Sequence, residues 1–164
     1  MNNMNQLKEE LNSNDVVKNL VVFKEKYINS DNFQFWIKNC EEAKVRYHEI
    51  LTESNFKDGG TLTAENLNEM FRLLKRYSAN RSLSRLIYEE NGIEVFNNKL
   101  RNLYYGEATL PKRIDEFLIL GKIGGQSLSQ FLVIFDDKQF PLITYQNRKV
   151  LNLDTDIEEI AKKK

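Results

Sequence analysis

Cysteine occurs once in this chain of 164 residues, at Cys40. A single thiol excludes an internal disulfide framework, a multi-cysteine zinc site and an iron–sulfur cluster, and it suits a reducing, cytoplasmic compartment. Proline is almost as scarce, with two residues, and there are only seven glycines. So few breakers argue for long helices over many short strands. No apolar run approaches the length of a membrane span, and the first residues lack the apolar centre of a signal peptide, so no membrane partner is expected. Net charge is missing too: 24 basic and 24 acidic residues cancel. Affinity for a polyanion must then come from a local patch. The Gly-x-x-x-x-Gly-Lys-Ser/Thr phosphate loop of nucleotide-driven motors is also absent.

What is present is helical periodicity. Hydrophobic residues make up 41% of the chain, enough to build one core. Val16, Leu20, Phe23 and Tyr27 recur at helical spacing. Ser30 or Asp31 caps a second helix with Phe33, Trp36, Ile37, Cys40, Ala43, Tyr47 and Ile50 on one face. Trp36 and the ten phenylalanines are expected in the core. Asp58-Gly59-Gly60 breaks the chain, and Thr63 opens a cap pattern ahead of Leu67, Met70, Phe71 and Leu74. Ser82 starts a helix through Leu83, Leu86 and Ile87, which Asn91-Gly92 stops. Ile93, Phe96, Leu100, Leu103 and Tyr104 mark another, ended by Gly106. Pro111 suits the first turn of the next, which buries Ile114, Phe117 and Leu118. Leu128, Phe131, Leu132 and Phe135 predict a half-buried helix. Asp136-Asp137-Lys138 is a polar turn, and Phe140-Pro141-Leu142-Ile143-Thr144 a short extended segment or brief strand. The expected fold is mainly α: one helical domain over residues 1–153, with a helical part from about 14 to 106 and a hairpin unit from about 110 to 151. Residues 154–164 form a charged tail or linker. A chain closing in such a run, without a final core element, reads as the front of a longer protein.

Three groups of residues carry a functional expectation. The first is the hairpin Leu120-Gly121-Lys122-Ile123-Gly124-Gly125-Gln126-Ser127-Leu128-Ser129. Gly124 and Gly125 carry no Cβ, so main-chain amides there can approach an anion, with Lys122, Gln126 and the hydroxyls of Ser127 and Ser129 beside them. The same hairpin also reads as a plain helix–helix turn that uses its glycines for positive φ. The second is Arg72, Lys75, Arg76, Arg81 and Arg85: five basic residues and no acid from Arg72 to Tyr88. They read as a phosphate-tracking strip, or as a solvated face answered by Glu65, Glu69, Glu89 and Glu90. The third is Tyr145 with Arg148 and Lys149, which read as a base-stacking ring with phosphate contacts, or as a surface turn. His48 has no partner pattern and is expected on the surface or as a cap. No residue is assigned a catalytic role, and no metal or cofactor is expected.

Two helices joined by a glycine-bearing turn resemble the helix-hairpin-helix motif. Its pattern is Leu-Pro-Gly-hydrophobic-Gly, a polar pair, Thr or Ser, then a small residue. Leu120, Ile123, Gly124 and Ser127 match it. Gly121 stands where proline is usual, Lys122 replaces the first glycine, and Leu128 replaces the small residue. From Pro111 to Leu151, with Phe140-Pro141-Leu142-Ile143-Thr144 and Arg148-Lys149-Val150-Leu151, the chain is similar to DNA glycosylases of that superfamily. The position of their catalytic aspartate is Thr144 here, and that of the nucleophilic lysine of bifunctional members is Gln126. A neutral hydroxyl cannot serve as a carboxylate base, and an amide cannot form a Schiff base. The resemblance therefore implies a glycosylase-like scaffold that holds DNA without cleaving it. The order Leu103-Tyr104-Tyr105-Gly106-Glu107, Lys112-Arg113-Ile114, hairpin, Phe140-Pro141 further resembles the regions that precede the AAA+ motor in McrB-like restriction ATPases. That implies a non-catalytic target-recognition domain for double-stranded DNA, modified duplexes included, with an AAA+ motor domain later in the same polypeptide. Two alternatives stay open: a base-excision enzyme drawing its carboxylate from elsewhere, and a protein-interaction module whose hairpin is purely structural.

Overall fold

The computed structural model describes residues 30–77 and 86–141. These residues hold six α-helices and one 3-10 turn, and no strand. In chain order they are α1 (Asp31–Glu53), the 3-10 turn Phe56–Asp58, α2 (Ala64–Tyr77), α3 (Leu86–Asn91), α4 (Ile93–Tyr105), α5 (Leu110–Leu118) and α6 (Gly125–Phe135). The fold is mainly α, in keeping with the scarcity of proline and glycine. Among the described residues, no helix is long and apolar enough to cross a membrane. The helix expected over Val16 to Tyr27, the start at Ser82, the segment from Leu142 to Leu151 and the charged tail lie outside the described residues.

The chain divides into two compact units, Met1–Glu41 and Glu42–Lys164. In the first, the Phe33 N–H donates to Ser30 Oγ at 3.3 Å, the cap that opens α1. The Phe33 and Trp36 rings meet at 5.7 Å. Phe35 is 69% and Trp36 47% exposed, which corrects the expectation that Trp36 and every phenylalanine are core. Periodicity fixes the face on which a residue stands, not whether anything covers that turn.

In the second unit the core gathers around Phe131 of α6. Its ring meets Phe71 of α2 at 5.8 Å, Phe96 of α4 at 6.0 Å and Phe117 of α5 at 5.4 Å. These are the tilted and edge-on contacts that aromatic quadrupoles favour, and all four rings are buried. Every residue of α6 from Ser127 to Ile134 is buried, so α6 is a covered central helix and not the half-buried one expected. The reason is compositional: α6 carries no charged residue, so no face of it demands water.

Local signals set the elements around it. Thr63 Oγ1 accepts from the Asn66 N–H at 3.2 Å while Asn66 Oδ1 accepts from the Thr63 N–H at 3.0 Å, a capping box with asparagine in the usual Glu/Gln position. Pro111 sits in the first turn of α5. A Cβ on Gly60 would collide with the Ser54 carbonyl, so the turn before α2 requires glycine. That turn is held from α4. Asn97, 2% exposed, accepts from the Leu62 N–H at 2.8 Å and donates to the Leu62 carbonyl at 3.0 Å and the Ile93 carbonyl at 2.8 Å. One side-chain amide thus satisfies both main-chain groups of Leu62. Arg101 Nε donates to the Phe56 carbonyl at 2.8 Å, with its guanidinium 4.8 Å from the Phe56 ring centre.

A buried polar line joins α1, α4 and α6. The Tyr104 hydroxyl donates to the Phe131 carbonyl at 3.0 Å and lies 2.7 Å from the Tyr47 hydroxyl. Tyr104 has one proton and spends it on the carbonyl, so Tyr47 is the donor between the phenols. Burial pushes both phenols up, and both stay protonated. At the end of α6, His48 Nε2–H donates to the Phe135 carbonyl at 3.0 Å. This caps one of the last carbonyls of that helix, within the role expected for His48. Phe135 stacks on Tyr104 at 4.0 Å and 5°.

Candidate functional site

The link from α5 to α6 is the hairpin. It is anchored at its start by Leu120, 4% exposed, and then turns outward through Gly121, Lys122 and Gly124, all exposed. Ile119, just ahead, is 74% exposed. The bend is tied down at Gly121, whose N–H donates to Asn91 Oδ1 at 2.9 Å and whose carbonyl accepts from Asn91 Nδ2 at 3.1 Å. Asn91 Nδ2 also donates to the Ile87 carbonyl of its own helix, α3, at 2.6 Å. The next residue, Lys122, has φ +68°, a left-handed conformation uncommon for a residue with a Cβ.

The positive φ expected of the glycines therefore falls on Lys122. Gly124 is extended, with φ −109° and ψ 174°, and a Cβ there would meet nothing within 4 Å. Its carbonyl accepts from the Leu128 N–H at 3.0 Å, so Gly124 opens α6 through its main chain, and no side-chain bond caps that helix. The first turn of α6 thus presents peptide N–H groups and the positive end of the helix dipole beside Lys122. Lys122 Nζ is 3.9 Å from Glu90 Oε1, with the two side chains 61% and 46% exposed. So open a pair holds its partners weakly.

Lys122, Gly124, Gly125 and Gln126 come together at this bend. Ser127 and Ser129 do not: each is 4% exposed, and Ser129 Oγ donates to the Gln126 carbonyl at 2.9 Å. Their expected role as surface hydroxyls is corrected, because α6 is covered on every face over those turns. Arg72, Lys75 and Arg76 lie together on an exposed face of α2. Arg81, Arg85, Tyr145, Arg148 and Lys149 lie outside the described residues.

Two of the acids that would answer the basic strip are engaged with other cations. Arg46 of α1 donates to Glu69 through Nε at 2.9 Å and Nη2 at 3.3 Å, a two-pronged pair, and Nη1 reaches Glu49 at 3.2 Å and Glu53 at 3.0 Å. The Arg46 hydrogen bonds hold the Glu69 carboxyl below the ordinary glutamate range, with smaller help from the charge of Arg72. Glu90 faces Lys122. Asn91 and Glu90 were not legible as parts of the site: Asn91-Gly92 reads only as a helix stop.

Fold and site together define an all-α domain that presents an exposed helical hairpin, clamped by a neighbouring asparagine, with a lysine in left-handed conformation at its tip. The chain matches no protein-family model, no curated protein and no solved structure, so the functional reading rests on this geometry and on the motif in the sequence.

Proposed function

We propose that this chain is a non-catalytic DNA-binding domain whose hairpin takes a backbone phosphate of a duplex, acting in the cytoplasm as the target-recognition part of a McrB-like, modification-dependent restriction system. One observation carries the reading. The left-handed residue of the hairpin is Lys122, which stands where the helix-hairpin-helix pattern has its first glycine. A lysine at that φ costs about 1–2 kcal/mol that glycine would not. A cation kept there, on an exposed bend beside the uncapped start of α6, suits an anionic ligand. The exposed Arg72, Lys75 and Arg76 supply further phosphate contacts. Recognition of a modified base falls to the part of the chain after Phe140, and the AAA+ motor and nuclease to other parts of the system.

The test is duplex affinity across a salt series, with modified and unmodified duplexes. Lys122→Gly is expected to raise stability by about 1 kcal/mol while lowering affinity and reducing the salt slope by about one contact. Lys122→Glu should lower affinity further. Equal or better binding by a stabilised Lys122→Gly variant would refute the phosphate role, and equal affinity for both duplexes would remove the modification-reading part. A second reading, a protein-interaction module, draws on the exposed Phe35 and Trp36. It predicts no duplex binding at low salt.

A further inference from the structure

We infer that Asn91 is the positioning residue of the hairpin, fixing its backbone in the shape that meets a phosphate; this rests on the phosphate reading of the hairpin. Two asparagines in this domain are wired alike. Asn97 holds the N–H and carbonyl of Leu62 and bonds back to Ile93, four residues earlier in its own helix. Asn91 holds the N–H and carbonyl of Gly121 and bonds back to Ile87, again four residues earlier. In each case the amide oxygen and both amide hydrogens are used, so the side chain is pinned and transfers the rigidity of its helix to another segment. The Asn97 clamp is buried and secures the turn before α2. The Asn91 clamp sits at the surface, on the bend itself.

The point of attachment matters. The Gly121 carbonyl belongs to the peptide unit that leads into Lys122, and the φ of Lys122 turns against that unit. Gripping Gly121 on both its N–H and its carbonyl therefore resists the relaxation a side-chain-bearing residue would otherwise make out of the left-handed region. Helix α3 also brings Glu90 to 3.9 Å from Lys122 Nζ. The same helix end grips the hairpin backbone firmly and the lysine side chain loosely. The backbone is preorganised, and the exposed cation is left for a phosphate to take from a carboxylate that is itself 46% exposed.

The test uses the full chain with Asn91→Ala, and Asn91→Ser as a second variant whose hydroxyl is too short to span both groups. Three readouts are needed: amide exchange at Gly121, the urea midpoint, and affinity for a DNA duplex over a salt series. The expected result is at least tenfold faster exchange at Gly121 and about five- to tenfold weaker duplex binding. The salt slope should be preserved, because every cation remains; removal of the Lys122 charge, by contrast, lowers the slope. A variant that still folds, exchanges Gly121 rapidly and binds DNA as the parent does would overturn the inference and leave the hairpin reading intact. Absence of duplex binding by the parent at low salt would remove that reading and this inference with it. The exchange data would then still report whether the clamp exists.

Discussion

Tyr104 can give its one hydroxyl proton to only one partner, and it gives it to the Phe131 carbonyl. Tyr47 must then donate to Tyr104, which makes the two phenols unequal. Tyr104→Phe strips a buried donor of its acceptor and should cost about 1–3 kcal/mol; Tyr47→Phe leaves Tyr104 with its carbonyl and should cost about 0.5–1.5 kcal/mol. Urea unfolding of the two variants checks the order, and a larger loss for Tyr47→Phe would contradict the assigned donor. This pairing was invisible in the sequence, because residues far apart in the chain meet only after the helices pack. The same holds for Asn91 and Asn97, whose side chains do their work on other segments. Lys122 shows the opposite difficulty: glycine is the residue type that signals positive φ, and in this bend a lysine two residues before Gly124 takes it instead.

Helices were the legible level. The caps at Ser30 and Thr63, the proline in the first turn of α5 and the stop at Asn91-Gly92 are local chemistry, readable without knowing the neighbours. Burial of α6 is only half legible: its apolar spacing marks one face, while the absence of charge from the other leaves no face that demands water. Contacts between helices are a separate matter. Arg46 of α1 reaches Glu69 of α2, and the Glu69 carboxyl is held below its ordinary range. A depressed carboxyl stabilises the fold above its unfolded pKa and ceases to do so as pH falls through its folded value. Parent and Glu69→Gln should therefore differ in melting temperature at pH 7, with the parent higher, and converge below the ordinary glutamate range. A difference that persists at low pH would assign the effect of the substitution to packing instead of charge.

For the molecule as a whole, a chain with no net charge must concentrate any affinity for DNA in a small area. The described residues offer two such areas: the bend at Lys122 with the start of α6, and the face of α2 with Arg72, Lys75 and Arg76. A covered α6, centred on Phe131, gives the bend a rigid base, and Asn91 fixes its outer turn. A bend that takes a phosphate must respond to DNA at its own amides. The most direct measurement is a titration of the isotopically labelled protein with a short DNA duplex at low salt, following the main-chain amide signals. Phosphate contact at the bend predicts the largest shifts at residues 122–126, reversed by added salt. Binding that moves other amides while those five stay still, or no binding at all, would contradict it.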